Sequence, residues 1–127
     1  MKLRIRDNSV RLRLTRSEVD ALRERGEVVA NTGFPGGRRL QYRVESSPAS
    51  ISPAALFSDN TVTVRLPEAA VIAWATTEQV SLEDVQTLDN GDQLQILVEK
   101  DFVCLTSREG EDESDMYPHP EADKISC

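Results

Sequence analysis

The stretch Met1-Lys-Leu-Arg-Ile-Arg-Asp-Asn-Ser-Val-Arg-Leu-Arg-Leu14 decides the fold of this chain. Apolar and basic residues alternate on both sides of Asp7-Asn8, so one face carries aliphatic side chains and the other carries basic ones. A period of two is typical of half-buried β-strands, and a short polar pair between two such runs suits a tight turn. The stretch therefore predicts a β-hairpin whose outer face is basic.

Two short helices are predicted by local signals at their ends. Thr15 and Glu18 have the spacing of a capping box, and Gly26 suits the residue after a helix, so we expect a helix over 16–25. Pro67 fits the first position of a second, alanine-rich helix over 67–76, in which Trp74 fills the core. Phe34-Pro-Gly-Gly37 matches a type II turn between two further strands.

The remaining alternating runs predict further hairpins. They lie at 27–32 and 39–44, at 54–58 and 61–66, and at 79–83 and 93–99. Apolar residues of both parities, which indicate a central strand buried on both faces, occur at Leu94, Ile96, Leu97 and Val98. A bulge at Lys100-Asp101 and an extension of the strand over 102–105 are predicted to follow. We expect an α+β domain: an antiparallel, strongly bent or partly closed sheet of hairpins with two short helices, and no internal repeat beyond the hairpins.

Composition predicts one soluble domain with a flexible or docked end. The chain has 127 residues, of which 39% are hydrophobic and 29% charged. No apolar run approaches the roughly 18 residues of a membrane helix, and the alternating N-terminus argues against a secretory signal. Two cysteines are too few for a disulfide framework, which favours the reducing cytoplasm. We expect a domain over 1–106 and an acidic C-terminal tail over 107–127, docked or disordered.

Charge is distributed unevenly along the chain. Residues 1–45 contain eleven basic and six acidic groups, whereas residues 46–127 contain four basic and sixteen acidic groups, for a net charge of -7. Such asymmetry is typical of proteins that bind a charged partner or bind themselves.

The basic face of the first hairpin needs compensating charge, since like charges on facing strand positions destabilise a sheet. Three interpretations remain open. Acids on neighbouring strands or on the helix compensate the arginines; or the tail segment Glu109–Asp115 folds over them, in the same chain or in a partner; or an external phosphate or nucleotide binds there. Nucleic acid is disfavoured, because the domain is acidic and no aromatic residue interrupts the basic stripe. The arginines concerned are Arg4, Arg6, Arg11 and Arg13.

No residue pattern indicates catalysis. Cys104, His119 and Cys127 lack the close spacing of zinc ligands, and the single histidine has no evident nucleophile beside it. Glu99 and Asp101 have the chemistry of an acid–base pair or of Mg²⁺ ligands, but exposed charges at a strand end explain them. We assign no catalytic residue, no metal and no cofactor.

The opening Lys2-Leu-Arg-Ile-Arg-Asp-Asn-Ser-Val-Arg-Leu-Arg-Leu-Thr-Arg-Ser-Glu18 is similar to the start of a family of small, uncharacterised bacterial proteins. Trp74-Ala-Thr-Thr77, Leu97-Val-Glu-Lys-Asp-Phe-Val-Cys-Leu105 and the tail around Tyr117-Pro118 resemble it as well. The resemblance covers nearly the whole chain, so it implies a single complete domain, and it implies no activity. A looser likeness to triphosphate tunnel enzymes rests on alternating charged strands alone, since their E-x-E-x-K element is missing.

The sequence thus predicts a non-enzymatic cytoplasmic interaction or binding module. Its basic N-terminal face would complement its acidic tail, and its partner would be a protein or a second copy of the chain, not a membrane. The alternative is a small phosphate-binding or other anion-binding protein, or an enzyme, that uses the face formed by Arg4, Arg6, Arg11 and Arg13.

Overall fold

The computed structural model describes residues 1–102, 115 and 117, which form eight strands and two helices. Of the predicted strand extension over 102–105, only Phe102 is described; residues 103–105, and the cysteines and histidine considered above, lie outside these residues. The elements of the first half are β1 (Lys2–Arg6), β2 (Ser9–Leu14), α1 (Arg16–Arg25), β3 (Glu27–Phe34) and β4 (Arg38–Ser47). Those of the second half are β5 (Ala54–Ser58), β6 (Thr61–Pro67), α2 (Glu68–Thr76), β7 (Ser81–Thr87) and β8 (Gln93–Lys100).

The strands form two separate mixed sheets. Sheet A has the order β1-β2-β8-β7 and sheet B the order β3-β4-β6-β5. In each sheet the outer pairs are antiparallel hairpins, while the central pair, β2 with β8 or β4 with β6, is parallel. The α+β class and the two short helices are confirmed, but the prediction of one antiparallel, strongly bent or partly closed sheet is wrong.

The chain forms two mixed sheets because each helix carries it from one sheet to the other. α1 carries the chain from sheet A to sheet B, and α2 carries it back, so each sheet receives one hairpin from each half of the chain. The two hairpins meet along their inner strands, which run in the same direction. Parallel strands need a connection of about a dozen residues or more, and both pairs have one: the chain between β2 and β8 includes both helices, whereas the loop at 48–53 and β5 connect β4 to β6.

The two halves of the chain repeat the same arrangement, contrary to the prediction of no repeat. Each half has the order strand-strand-helix-strand-strand, and exchanging the halves exchanges sheet A with sheet B. Asp7–Leu22 and Asp59–Trp74, aligned without gaps, are identical at seven of sixteen positions. Leu40–Glu45 and Leu94–Glu99 share the pattern Leu-Gln-x-x-Val-Glu.

Corresponding hydrogen bonds recur in both halves. The amide of Gln95 donates to the carbonyl of Asn8 at 2.9 Å, and that of Gln41 donates to Asn60 at 3.0 Å. Likewise the backbone amide of Lys100 donates to the carbonyl of Val80 at 3.1 Å, and the backbone amide of Ser46 donates to the carbonyl of Gly26 at 2.8 Å. The molecule therefore has an approximate two-fold axis that runs between the sheets along the strands.

α1 begins and ends as predicted. The hydroxyl of Thr15 accepts from the amide of Glu18, whose carboxylate accepts in return from the amide of Thr15 at 2.9 Å. Gly26 ends the helix with φ 85°, a left-handed conformation that favours glycine. α2 begins one residue later than predicted, because Pro67 is its N-cap and not its first helical residue.

The two helices close one end of a sandwich made by the sheets. They contact each other, and each contacts strands of both sheets. Trp74 is fully buried, and its indole NH donates to the carbonyl of Val80 at 2.9 Å. The buried apolar core is formed by Val10, Leu12, Leu14, Val19, Leu22, Val44, Val62, Val64, Leu66, Val71, Trp74, Leu82, Ile96 and Val98. The four hairpin turns lie at the opposite end, away from α1 and α2.

Candidate functional site

Two of the four candidate arginines on the outer face of sheet A are compensated by a neighbouring strand. Arg11 and Arg13 each donate through Nε to the same carboxylate oxygen, Oε1 of Glu99, at 2.7 Å. Glu99 lies on β8, in register with Arg13 and adjacent to β2. The first of the three interpretations, acids on a neighbouring strand, therefore accounts for Arg11 and Arg13.

Arg4 and Arg6 differ from that pair. Both are exposed, and neither forms an ion pair with any residue in the described part of the chain. They lie two positions apart on edge strand β1, so their side chains share one face, and Arg4 is in register with Arg11. The structure thus divides the predicted basic site into a compensated half and a half that is open to solvent.

Asp101 is a buried group, contrary to the prediction of an exposed strand-end charge. Its residue is 2% exposed, and its carboxylate lies 3.4 Å from Nζ of Lys2. Its amide donates to the carbonyl of Leu14, which holds it against the end of β2. Lys100, beside it, is also buried, donates from Nζ to the carbonyl of Thr77 at 2.8 Å, and has a pKa that burial lowers.

The described residues of the predicted tail contact α1. The carboxylate of Asp115 accepts from the backbone amide of Ser17 at 3.2 Å and also from the Ser17 hydroxyl. Tyr117 stacks at a tilt on Phe102 with ring centroids 5.7 Å apart, and the Arg16 guanidinium lies 5.0 Å from the Tyr117 ring centroid. The other acids of Glu109–Asp115 lie outside the described residues, so pairing of the tail with the arginines stays a prediction.

An apolar cleft opens between the sheets at the end that carries the turns. Its volume is about 470 Å³, and apolar side chains of both sheets line it. Phe57 and Ile5 stand at its rim and are 71% and 58% exposed. The cleft lies on the approximate two-fold axis, because most of its lining consists of residues that correspond between the halves: Ile5 with Phe57, Val10 with Val62, and Leu40 with Leu94.

Sequence reasoning missed this cleft. Alternation correctly placed Ile5 on the apolar face of the hairpin, but it could not show that the helices would cover only the other end. The available signal was the repeat itself, since Ile5 and Phe57 both stand two residues before an Asp-Asn turn. Because Ile5 and Phe57 occupy corresponding positions in the two halves, they belong to one apolar surface.

The described residues contain no group of three or more histidine, cysteine or acidic side chains that could hold a metal ion. They also contain no helix long and apolar enough to span a membrane. The polar depression next to the basic face, of about 540 Å³, is lined by Glu83 and Asp84 as well as Arg11. Its mixed charge gives it no clear preference for anions.

Comparison with known proteins gives one match. No curated protein and no solved structure matches the chain. A family model described as a family of unknown function, DUF7009, matches residues 1–121 of the 127. The resemblance to a family of uncharacterised proteins is therefore confirmed over nearly the whole chain, which belongs to the DUF7009 family of unknown function.

Proposed function

We propose that the protein is a non-enzymatic interaction module of the cytoplasm that binds apolar side chains of a protein partner in the cleft between its sheets. The observation that carries this proposal is the cleft of about 470 Å³ with Phe57 and Ile5 exposed at its rim. Burying exposed apolar surface stabilises an association by about 25 cal/mol for each Å² removed from water. Contiguous apolar surface of this kind is typical of protein interaction sites.

The composition of the rim supports a protein partner. Aromatic residues, phenylalanine among them, are enriched at protein interfaces, and Phe57 is 71% exposed and so accessible to a partner. Charged residues surround the apolar centre at the adjacent turns, among them Arg6, Arg39 and Asp59. An apolar centre within a polar rim is the usual arrangement of a protein interface.

The first experiment measures the binding of anilinonaphthalene sulfonate, a fluorescent probe of apolar surface, to the folded chain at low protein concentration. We expect Phe57→Ser to weaken probe binding several-fold, since it removes a large apolar part of the rim. Val85→Ser is the matched control, because Val85 is 48% exposed on β7 but does not line the cleft. Equal binding by the wild type and Phe57→Ser would contradict the proposal.

A second candidate function is anion binding by Arg4 and Arg6. The observation that favours it is that both side chains are exposed and without an ion pair among the described residues, on a face that also carries Lys2. Guanidinium groups bind phosphate oxygens through paired hydrogen bonds. In this function, a small phosphate-containing ligand would occupy the open half of the basic face.

Thermal melts with and without tripolyphosphate test this second function. We expect the ligand to raise the melting temperature of the wild type but not of the double variant Arg4→Gln/Arg6→Gln. The double variant Arg23→Gln/Arg25→Gln removes the same charge from the end of α1 and should keep the shift. A shift that survives in Arg4→Gln/Arg6→Gln would place the anion elsewhere and exclude this site.

A further inference from the structure

The end of the sandwich that carries the cleft has the properties of a surface that binds its own copy. We propose that two chains associate end to end through this cleft, as a symmetric homodimer; the proposal rests on the proposed function of the cleft and names its partner. A symmetric two-fold interface uses the same patch on both chains, so the patch must be complementary to itself. Shape and charge both meet this requirement here.

Shape complementarity comes from the presence of projections and a cavity on one surface. Phe57 is 71% exposed and Ile5 58%, so each projects from the rim, while the cleft beside them has a volume of about 470 Å³. Two chains facing each other can therefore place the projecting side chains of one in the cleft of the other. Because the cleft lies on the approximate two-fold axis of each chain, Ile5 and Phe57 would make similar contacts.

Charge complementarity comes from the turns around the cleft. The β3–β4 turn is basic through Arg38 and Arg39, neither of which forms an ion pair with another described residue. The β5–β6 turn, at the opposite edge of sheet B, carries Asp59. If the two-fold axis of the dimer is normal to the sheets, the β3–β4 turn of one chain lies opposite the β5–β6 turn of the other. This arrangement brings opposite charges together.

The same two-fold rotation also brings the turns of sheet A in the two chains opposite each other. It places the β1–β2 turn, where Arg6 lies beside Asp7, opposite the β7–β8 turn of the second chain, where Asp89 and Asp92 lie, so that Arg6 is the group of opposite charge in this contact. Although the whole chain has a net charge of -7, the turns at this end have three basic and four acidic residues. The charges at this end are therefore nearly balanced, so two acidic chains can meet here with little repulsion. The charged residues are Arg6, Arg38, Arg39, Asp7, Asp59, Asp89 and Asp92.

Sedimentation velocity on the full chain, over about 1 to 100 μM, tests the dimer. We expect the wild type to form a dimer as concentration rises and Phe57→Glu to raise the dissociation constant more than tenfold, since it places a charge in the apolar contact. Val85→Glu is the control; it introduces the same charge on an exposed residue of β7 away from the cleft and should leave the dimer intact. Circular dichroism checks that both variants fold.

A second variant tests the charge argument independently. Arg38→Glu/Arg39→Glu makes the basic turn acidic and should weaken the dimer several-fold. A wild type that stays monomeric over the whole range would overturn the dimer, as would a dimer that Phe57→Glu does not affect. If the monomeric wild type still binds the fluorescent probe through Phe57, the dimer fails but the proposed function stands. If the wild type is monomeric and Phe57→Ser does not weaken its binding of the probe, both the dimer and the proposed function fail.

Discussion

Asp115 stabilises the first turn of α1 from a distant part of the sequence. Its carboxylate accepts hydrogen bonds from the amide and the hydroxyl of Ser17, at the end of the helix where amide protons lack helical partners. The hydrogen bond from the Ser17 side chain lowers the pKa of Asp115 below its usual value, which means that the folded state favours the ionised carboxylate. A negative charge near a helix N-terminus also interacts favourably with the helix dipole.

We predict that Asp115→Asn lowers the free energy of unfolding at pH 7 by about 0.3 to 1 kcal/mol, a small effect because the carboxylate is exposed. A lowered folded-state pKa contributes stability above the ordinary aspartate pKa of about 3.9 and loses it as the pH falls through the folded value. Urea unfolding should therefore show the two proteins converging below about pH 4. Glu24→Gln, farther along the same helix, should show no such loss at pH 7. An Asp115→Asn protein as stable as the wild type would contradict the prediction.

Elements whose signals are local could be predicted from the sequence. The boundaries of α1 follow from the capping box at Thr15 and from Gly26, which are both adjacent to the helix they limit. The first hairpin follows from its alternation, and its register sets Arg4 opposite Arg11 as predicted. In each case the residues that determine the structure lie within a few positions of it.

The pairing between hairpins could not be predicted in the same way. Alternation determines which face of a strand is buried, but it does not determine the neighbouring strand, and all four hairpins alternate alike. β2 pairs with β8, more than eighty residues later, and the ladder includes Arg13 with Glu99. The compensating carboxylate of the basic face was thus visible in the sequence, while its role depended on a long-range pairing.

The prediction that β8 is buried on both faces shows the same limit. Ile96 and Val98 are buried in the core, whereas Leu97 is only half-buried, because it faces outward beside Arg11. An apolar residue on the outer face of a central strand can pack under the stems of long arginine side chains. β8 is central, as predicted, but among the described residues its outer face is only half-buried at Leu97, which lies in register with Arg11.

The whole molecule consists of two interleaved halves, neither of which completes a sheet by itself. The loop at 48–53 joins the halves on the surface, where Ile51 is 97% exposed. Cutting the chain in this loop removes no strand pair, since β4 and β5 are not neighbours in sheet B. The four strand pairs within the halves remain, and the two parallel pairs between them form the contact through which separate halves would associate.

We therefore predict that fragments 1–50 and 51–127 are unfolded alone and reassemble into the native fold when mixed. Each fragment alone would expose apolar strand faces that the other covers, so neither has a closed core. Trp74, the single tryptophan, lies in the second fragment and is fully buried in the whole chain, so its emission should shift to the blue on mixing. Titration should require micromolar or higher concentrations, since the cut removes the high effective concentration that the short loop provides. Val44→Asp in the first fragment should abolish the shift, because it places a charge in the core. A native-like spectrum of either fragment alone would show that one half folds independently and would contradict the prediction.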